Sequence, residues 1–148
     1  MSYTYPYPRP ALTADIVLFS IDEQENIAVL LIKRKHEPFE NCWAFPGGFM
    51  DMDERIDDTA HRELQEETGL SNIKLERLGL YDAIDRDPRG RTVSMAYVGF
   101  VYKENLLPKA ADDASAVQWF ELDEIPSLAF DHEQIMNDAL GILNKRLE

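Results

Sequence analysis

Glu63, Glu66 and Glu67 stand at positions i, i+3 and i+4, a spacing that brings three carboxylates to one face of a helix. Like charges so placed repel by a few tenths of a kcal/mol per pair, so helix stability does not select them; a bound cation would reverse the sign. With Ala60 as origin and a step of about 100° per residue, Ile56 falls at about −40° and Leu64 at about +40°. Glu67 falls at about −20°, inside that apolar stripe, while Glu63 and Glu66 lie at its edge, at about −60° and −120°. The bland alternative is a solvated acidic face with a crooked stripe. Against it, an unpaired buried carboxylate is costly, and a sequence that breaks its own amphipathic pattern with charge marks a candidate site. Carboxylate oxygens select hard cations, Mg²⁺ or Mn²⁺, and Mg²⁺ bridges carboxylates to phosphates while keeping waters. Gly47 and Gly48, just before this segment, leave backbone groups open to close approach by a ligand. The chemistry these residues suggest is metal-assisted attack of water on a phosphoanhydride.

A second cluster lies in the stretch DRDPRGR, where Arg86, Arg89 and Arg91 sit among Asp85 and Asp87. Guanidinium forks match phosphate oxygens and stack on bases; the alternative is an exposed charged hairpin with internal ion pairs. Lys33 and Arg34 end an apolar run ahead of the glycines and could reach a phosphate or serve as surface charge. Phe39, Trp43 and Tyr81 are aromatic candidates for the base or sugar, with a core role also open to Trp43. His132 could act as an acid or base behind the site, or hold a structural hydrogen bond at a helix start. Cys42, the lone cysteine, reads as a small buried apolar residue beside Trp43.

These side chains need elements to hold them. Residues 1–10 alternate tyrosine and proline and read as an extended arm, with 11–148 as one domain. Apolar runs at 11–20 and 27–32, joined by a polar turn, read as two strands. A short apolar piece follows at 43–45, broken by Pro46-Gly47-Gly48. The acidic helix spans about 54–68, with Gly69 as its C-terminal stop. Strands are expected at 73–81, 92–102 and 117–122, and a helix over 131–147 with Ile135, Leu140, Ile142 and Leu143 on its apolar side. The class is mixed α/β, an α+β arrangement with helices packed on a mixed sheet.

The totals agree with one soluble domain. The chain has 148 residues, 45% apolar and 29% charged, and 15 basic against 28 acidic residues give a net charge of −13. Such a surface repels nucleic-acid backbones, yet a few arginines or a metal can invert the field locally for a small phosphorylated ligand. No run reaches the roughly 18 apolar residues of a membrane span, and the N-terminus lacks the apolar core of a signal peptide, so the expected location is cytoplasmic.

Gly48, five residues, Glu54, seven residues, Arg62-Glu63-Leu64, one residue, Glu66-Glu67, one residue, Gly69-Leu70: this pattern resembles the complete Nudix box. The resemblance implies an α/β/α sandwich and hydrolysis of a nucleoside diphosphate linked to another moiety. It further implies Mg²⁺ or Mn²⁺ on Glu63, Glu66 and Glu67, with the Gly48 carbonyl, and Arg62 orienting the glutamates while Glu54 anchors the loop. The general base in the family is a glutamate of the box or a residue of a later loop, here Asp112 or Asp113. The stretch through LLIKRKHEPFENCWAFPGGFMDMDE, RDPRGR and LAFDH is similar to the subgroup acting on ADP-ribose, related to regulators of NAD metabolism but expected here without their winged-helix domain. On that resemblance Arg34, Phe39, Gly47, Gly48, Arg86, Arg89 and Arg91 are the expected substrate contacts. ADP-ribose is the expected substrate and a homodimer the expected assembly. The alternatives are another nucleotide, such as an oxidised nucleoside triphosphate, a dinucleoside polyphosphate or a nucleotide sugar, or an ADP-ribose-sensing module without turnover.

Overall fold

The computed structural model describes residues 2–102 and 114–148. Residues 2–10 form no helix or strand and are exposed; Tyr3 stacks on Tyr5, and Arg9 lies 3.7 Å over the Tyr5 ring. The sheet begins at β1 (Ala11–Ile21), which runs parallel to β6 (Thr92–Tyr102) in unbroken register from Ala11↔Thr92 to Ile21↔Tyr102. A strand between two layers is apolar on both faces. Ala14, Ile16 and Leu18 of β1 face one cluster with Ala60 and Leu64 of α1 (Ile56–Thr68). Val17 and Phe19 face the other, with Ile135, Met136, Ala139 and Leu143 of α2 (His132–Arg146). The period-2 alternation of β1 therefore builds an α/β/α sandwich.

The remaining strands are antiparallel: β2 (Ile27–Arg34) beside β1, β5 (Glu76–Tyr81) beside β6, and β7 (Ala114–Glu121) beside β2. β1 and β2 pair only over Phe19–Ile21 and Ile27–Val29, next to a turn whose Asp22 carboxylate accepts the Gln24 and Asn26 amides. Beyond that point they part. β3 (Trp43–Ala44) joins β2 at Ile32 and Lys33, and β4 (Gly47–Phe49) joins β1 at Thr13–Asp15. The glycine pair, expected only as a break, is thus itself a strand. Gly47 lies so close to β1 that a Cβ there would stand 2.2 Å from the Ala14 carbonyl oxygen.

α1 starts at Ile56 rather than 54, because Glu54 stays outside the helix and closes the preceding turn, accepting the Asp51 amide and the Thr59 hydroxyl. Gly69 ends it in the left-handed conformation, φ 78°, and its amide donates to Gln65. β5 begins at Glu76 rather than 73; Ile73 is instead buried with Leu70 beneath α1. On α2 Ile142 is turned outward, and Met136 and Ala139 take the buried positions. Cys42 is half-buried against a small cluster of Ile32, Ala44 and Ala129. Among the described residues no helix is long and apolar enough to cross a membrane. The late-loop residues Asp112 and Asp113 lie outside the described residues.

Candidate active site

The gap between β1 and β2 opens into a cavity of about 430 Å³, floored by the β4 glycines and flanked by α1. Glu67 is the most buried of the three glutamates. It is buried, and one of its oxygens accepts the Gly47 amide at 3.0 Å. Glu63 lies within hydrogen-bonding reach of it. A Cβ on Gly48 would stand 2.4 Å from the Glu63 carboxyl carbon, so only glycine admits the carboxylate there. Glu66 is more than half exposed and does not line the cavity; one of its oxygens meets Arg62 at 3.2 Å. Burial, partly offset by the Gly47 amide and reinforced by Glu63 and Asp15, pushes the Glu67 carboxyl well above the carboxylate range. Burial also raises Glu63, against the pull of Arg62.

Arg62 ties this edge together. Its guanidinium donates to Glu54 at 2.7 Å, Glu63 at 2.8 Å, Glu66 at 3.2 Å and the Phe49 carbonyl at 2.9 Å. Hydrogen bonds from Arg62 hold the Glu54 carboxyl down at about 2, against the effect of burial.

Facing the carboxylates is a wall of alternating rings and guanidiniums. Arg89 lies 4.9 Å from the Phe49 ring and 5.5 Å from the Phe130 ring, and Arg34 lies 4.9 Å from the Phe130 ring. Each arginine is fixed at its base: Arg89 is gripped bidentately by Asp87, and Arg34 donates to the Pro38 carbonyl at 2.7 Å. Burial first, and then the nearby Arg89 charge, lower the Arg34 pKa from its ordinary value. Two guanidiniums held close together, each fixed at its base, can receive the oxygens of a polyanion. Phe39 reaches the cavity only by leaning on Phe130, 4.7 Å away.

The other arginines of the loop divide. Arg86 is buried and donates two hydrogen bonds, 2.9 and 2.8 Å, to Asp131, with Asp15 at 3.7 Å. Arg91 reaches back to the Ala83 carbonyl and lies off the cavity, as does Lys33. Trp43 packs edge-on against Phe120 in the core, and Tyr81 points to the opposite side of the sheet, donating to Asp138 at 2.6 Å. His132 is buried; its Nδ1 accepts the Phe45 amide at 3.1 Å and its Nε2 faces Asp15 at 3.6 Å. An accepting Nδ1 carries no proton and has no free lone pair, so this histidine is not placed as a base.

Asp15, Phe49, Asp87 and Phe130 line the cavity, and Asp131 holds Arg86 behind it, without having been named as site residues from the sequence. A signal existed for one: Asp15 is the lone charge inside the apolar run ALTADIVLFS. Burial pushes its carboxyl up, but His132, the Ser94 hydroxyl at 2.6 Å and Arg86 together hold it below its ordinary value.

The donor set suits a hard cation. Among the described residues no three acidic, histidine or cysteine side chains close a metal cage. The Glu63–Glu67 pair in a cavity open to water matches an ion that keeps several waters and takes one or two carboxylates plus substrate oxygens.

Residues 9–139 match the NUDIX domain. The chain is 42% identical to an ADP-ribose pyrophosphatase of Methanocaldococcus jannaschii over 134 residues, covering 90% of this chain and 75% of that protein. It is 33% identical over 148 residues to an ADPR responsive transcriptional repressor of Acinetobacter baylyi, covering 95% of this chain and 57% of the repressor. Among solved structures, the NUDIX domain of Shewanella oneidensis NrtR complexed with ADP ribose superposes with a TM-score of 0.83 at 32% identity, covering 95% of this chain and 94% of that one.

Proposed function

The chain belongs to the Nudix family, and from that premise we propose that it is a hydrolase splitting the diphosphate of ADP-ribose into AMP and ribose 5-phosphate. The observation that carries the substrate is the similarity to an ADP-ribose pyrophosphatase over nine-tenths of the chain. The geometry supports the chemistry. Glu63 and Glu67 hold the acidic side of one cavity, with Glu66 at its rim; Arg34 and Arg89 hold the cationic side. A diphosphate bridging the two sides lies with its oxygens toward the guanidiniums and its reacting phosphorus toward the glutamates. Glu63, Glu66, Glu67 and the Gly48 carbonyl would hold a Mg²⁺ or Mn²⁺ ion, which would supply charge neutralisation and a more acidic water. The chain's own part is orientation: Arg62 holds Glu63 and Glu66, the Gly47 amide holds Glu67, and Asp87 aims Arg89. Water adds to one phosphorus and gives its proton to a carboxylate base, a glutamate of the box or a residue of the later loop; the bridging P–O bond breaks, and the departing phosphate monoester takes the electron pair while the arginines offset its charge.

The test is product analysis with ADP-ribose and Mg²⁺ in ¹⁸O-labelled water. AMP and ribose 5-phosphate are expected, with the label in one of them. No AMP from ADP-ribose, together with rapid hydrolysis of another nucleotide, would move the assignment to the rival substrates: an oxidised nucleoside triphosphate, a dinucleoside polyphosphate or a nucleotide sugar. Similarity to an ADPR responsive repressor favours a second reading, a sensing module; tight ADP-ribose binding without AMP release distinguishes it. The proposal also takes residues 11–148 as the catalytic domain, with the arm at 1–10, in a cytoplasmic homodimer. A monomeric mass by light scattering would remove the dimer.

A further inference from the structure

Phe130, Asp131 and His132 are consecutive, and each departs from what its local structure prefers. Phe130 has φ 54°, a left-handed conformation that a bulky residue rarely adopts. Asp131 is the N-cap of α2, a position where an aspartate usually accepts helix amides, yet its side chain makes no cap hydrogen bond. Both its oxygens are given to Arg86. His132, the first helical residue, is buried at 3% exposure, and its ring hydrogen bond crosses to Phe45 of the segment before the glycines. Helix α2 gains nothing from these choices. Phe130 and His132 line the cavity, and Asp131 holds Arg86, which lines it too; local rules broken together without local gain mark function.

The two polar residues reach different halves of the site. From Asp131 the connection runs to Arg86, then through the adjacent Asp87 to the bidentate grip on Arg89, at the cationic wall. From His132 it runs to the Phe45 amide, then two residues on to Gly47, whose own amide holds Glu67. Asp15 stands between them, 3.7 Å from Arg86 and 3.6 Å from His132, with Ser94 as its further partner. Side chains in such buried chains of contacts act by fixing geometry, and a misplacement of about 1 Å at a reacting group can cost about 100-fold in rate.

We propose that Asp131 and His132 are positioning residues with separate tasks: Asp131 sets the arginine wall that binds the diphosphate substrate, and His132 sets the glycine strand that aims the catalytic glutamates. This rests on the hydrolase reading above and deepens it. Loss of Asp131 weakens substrate binding, and loss of His132 slows the chemical step. Neither residue touches the reacting atoms.

The experiment compares Asp131→Asn, His132→Asn and His132→Gln. Asparagine keeps an acceptor where Nδ1 stands; glutamine moves it toward the Nε2 position. Expected for Asp131→Asn is a rise in KM of about 10-fold or more, as for loss of a charge-assisted hydrogen bond, with kcat little changed. Expected for His132→Gln is a fall in kcat of about 10- to 100-fold at nearly constant KM, with faster hydrogen exchange at the Phe45 amide. His132→Asn restores both kcat and the exchange protection. The proposal is overturned if His132→Gln performs as well as His132→Asn, if the Phe45 amide exchanges alike in both, or if the Asp131 and His132 variants change kcat and KM in the same proportion. Each variant is assayed with ADP-ribose and with the nucleotide the unchanged protein hydrolyses fastest. A wrong substrate then shows as inactivity of the unchanged protein, and a wrong positioning role shows as an absent split.

Discussion

Glu67 sits where packing alone would ask for an apolar residue, and the consequence can be measured apart from activity. Its carboxyl is raised by burial, so in the metal-free folded protein it retains a proton that the unfolded chain releases above pH 4.5. Stability of the metal-free protein therefore declines as pH rises beyond that value. Glu67→Gln removes the buried titratable carboxyl: at pH 8 it should raise the melting temperature of the metal-free protein by about 2–4 °C, on the order of 1 kcal/mol. The same variant, and Glu66→Gln, should lower kcat by about 100-fold or more. Undiminished turnover in both would remove the metal-site assignment. Arg89→Ala should hurt ADP-ribose more than a generic dinucleotide. The buried Arg86 does not offer so clean a test, because its loss strands Asp131 and Asp15.

At the scale of elements, the two glycines of β4 make different demands. Gly48→Ala would press against the Glu63 carboxyl, the far end of a side chain that can turn aside. It should leave the melting temperature nearly unchanged while cutting kcat by about 10- to 100-fold, the range for misplaced metal-site geometry. Gly47→Ala would press against backbone at Ala14 and force β4 off β1. That should cost about 1–3 kcal/mol of stability, the range for overpacking, and a denaturant melt reads it directly. Equal effects of the two substitutions on stability would mean that β4 is not held against β1 as described.

The whole molecule carries 28 acidic residues, and its response to acid turns on those that gain partners on folding. Glu54 is one, held at about 2 by Arg62. A carboxyl with a lowered folded pKa contributes stability above its unfolded value, here 4.5, and loses it as pH falls toward about 2. Melting temperature followed from pH 6 to pH 2 should fall in that window, and Glu54→Gln should flatten this part of the curve. An unchanged acid profile in that variant would mean the Arg62–Glu54 tie does not support the folded state.

Spacing along the chain was enough to orient α1, because the 100° step is a property of the backbone: it turned Glu67 inward among Ile56, Ala60 and Leu64, and Glu67 is buried. Continuous apolar and β-rich runs likewise revealed β1, β2 and β6 and the mixed class, since a strand between two helical layers must be apolar on both faces. The glycine pair could be read only as a break, because pairing of Gly47 with Asp15 depends on where β1 and β2 part, which no local signal encodes. In the same way the arginines of DRDPRGR were equivalent in sequence; tertiary contacts alone separated a buried Arg86 locked to Asp131 at the cavity wall, a more open Arg89 beside it and an Arg91 turned away. The sequence by itself determined the chemistry, through residue types held on one continuous helix. The tertiary structure decided the cationic wall and its supports, because Arg34, Phe49, Arg89 and Phe130 lie far apart along the chain and meet only where the sheet opens.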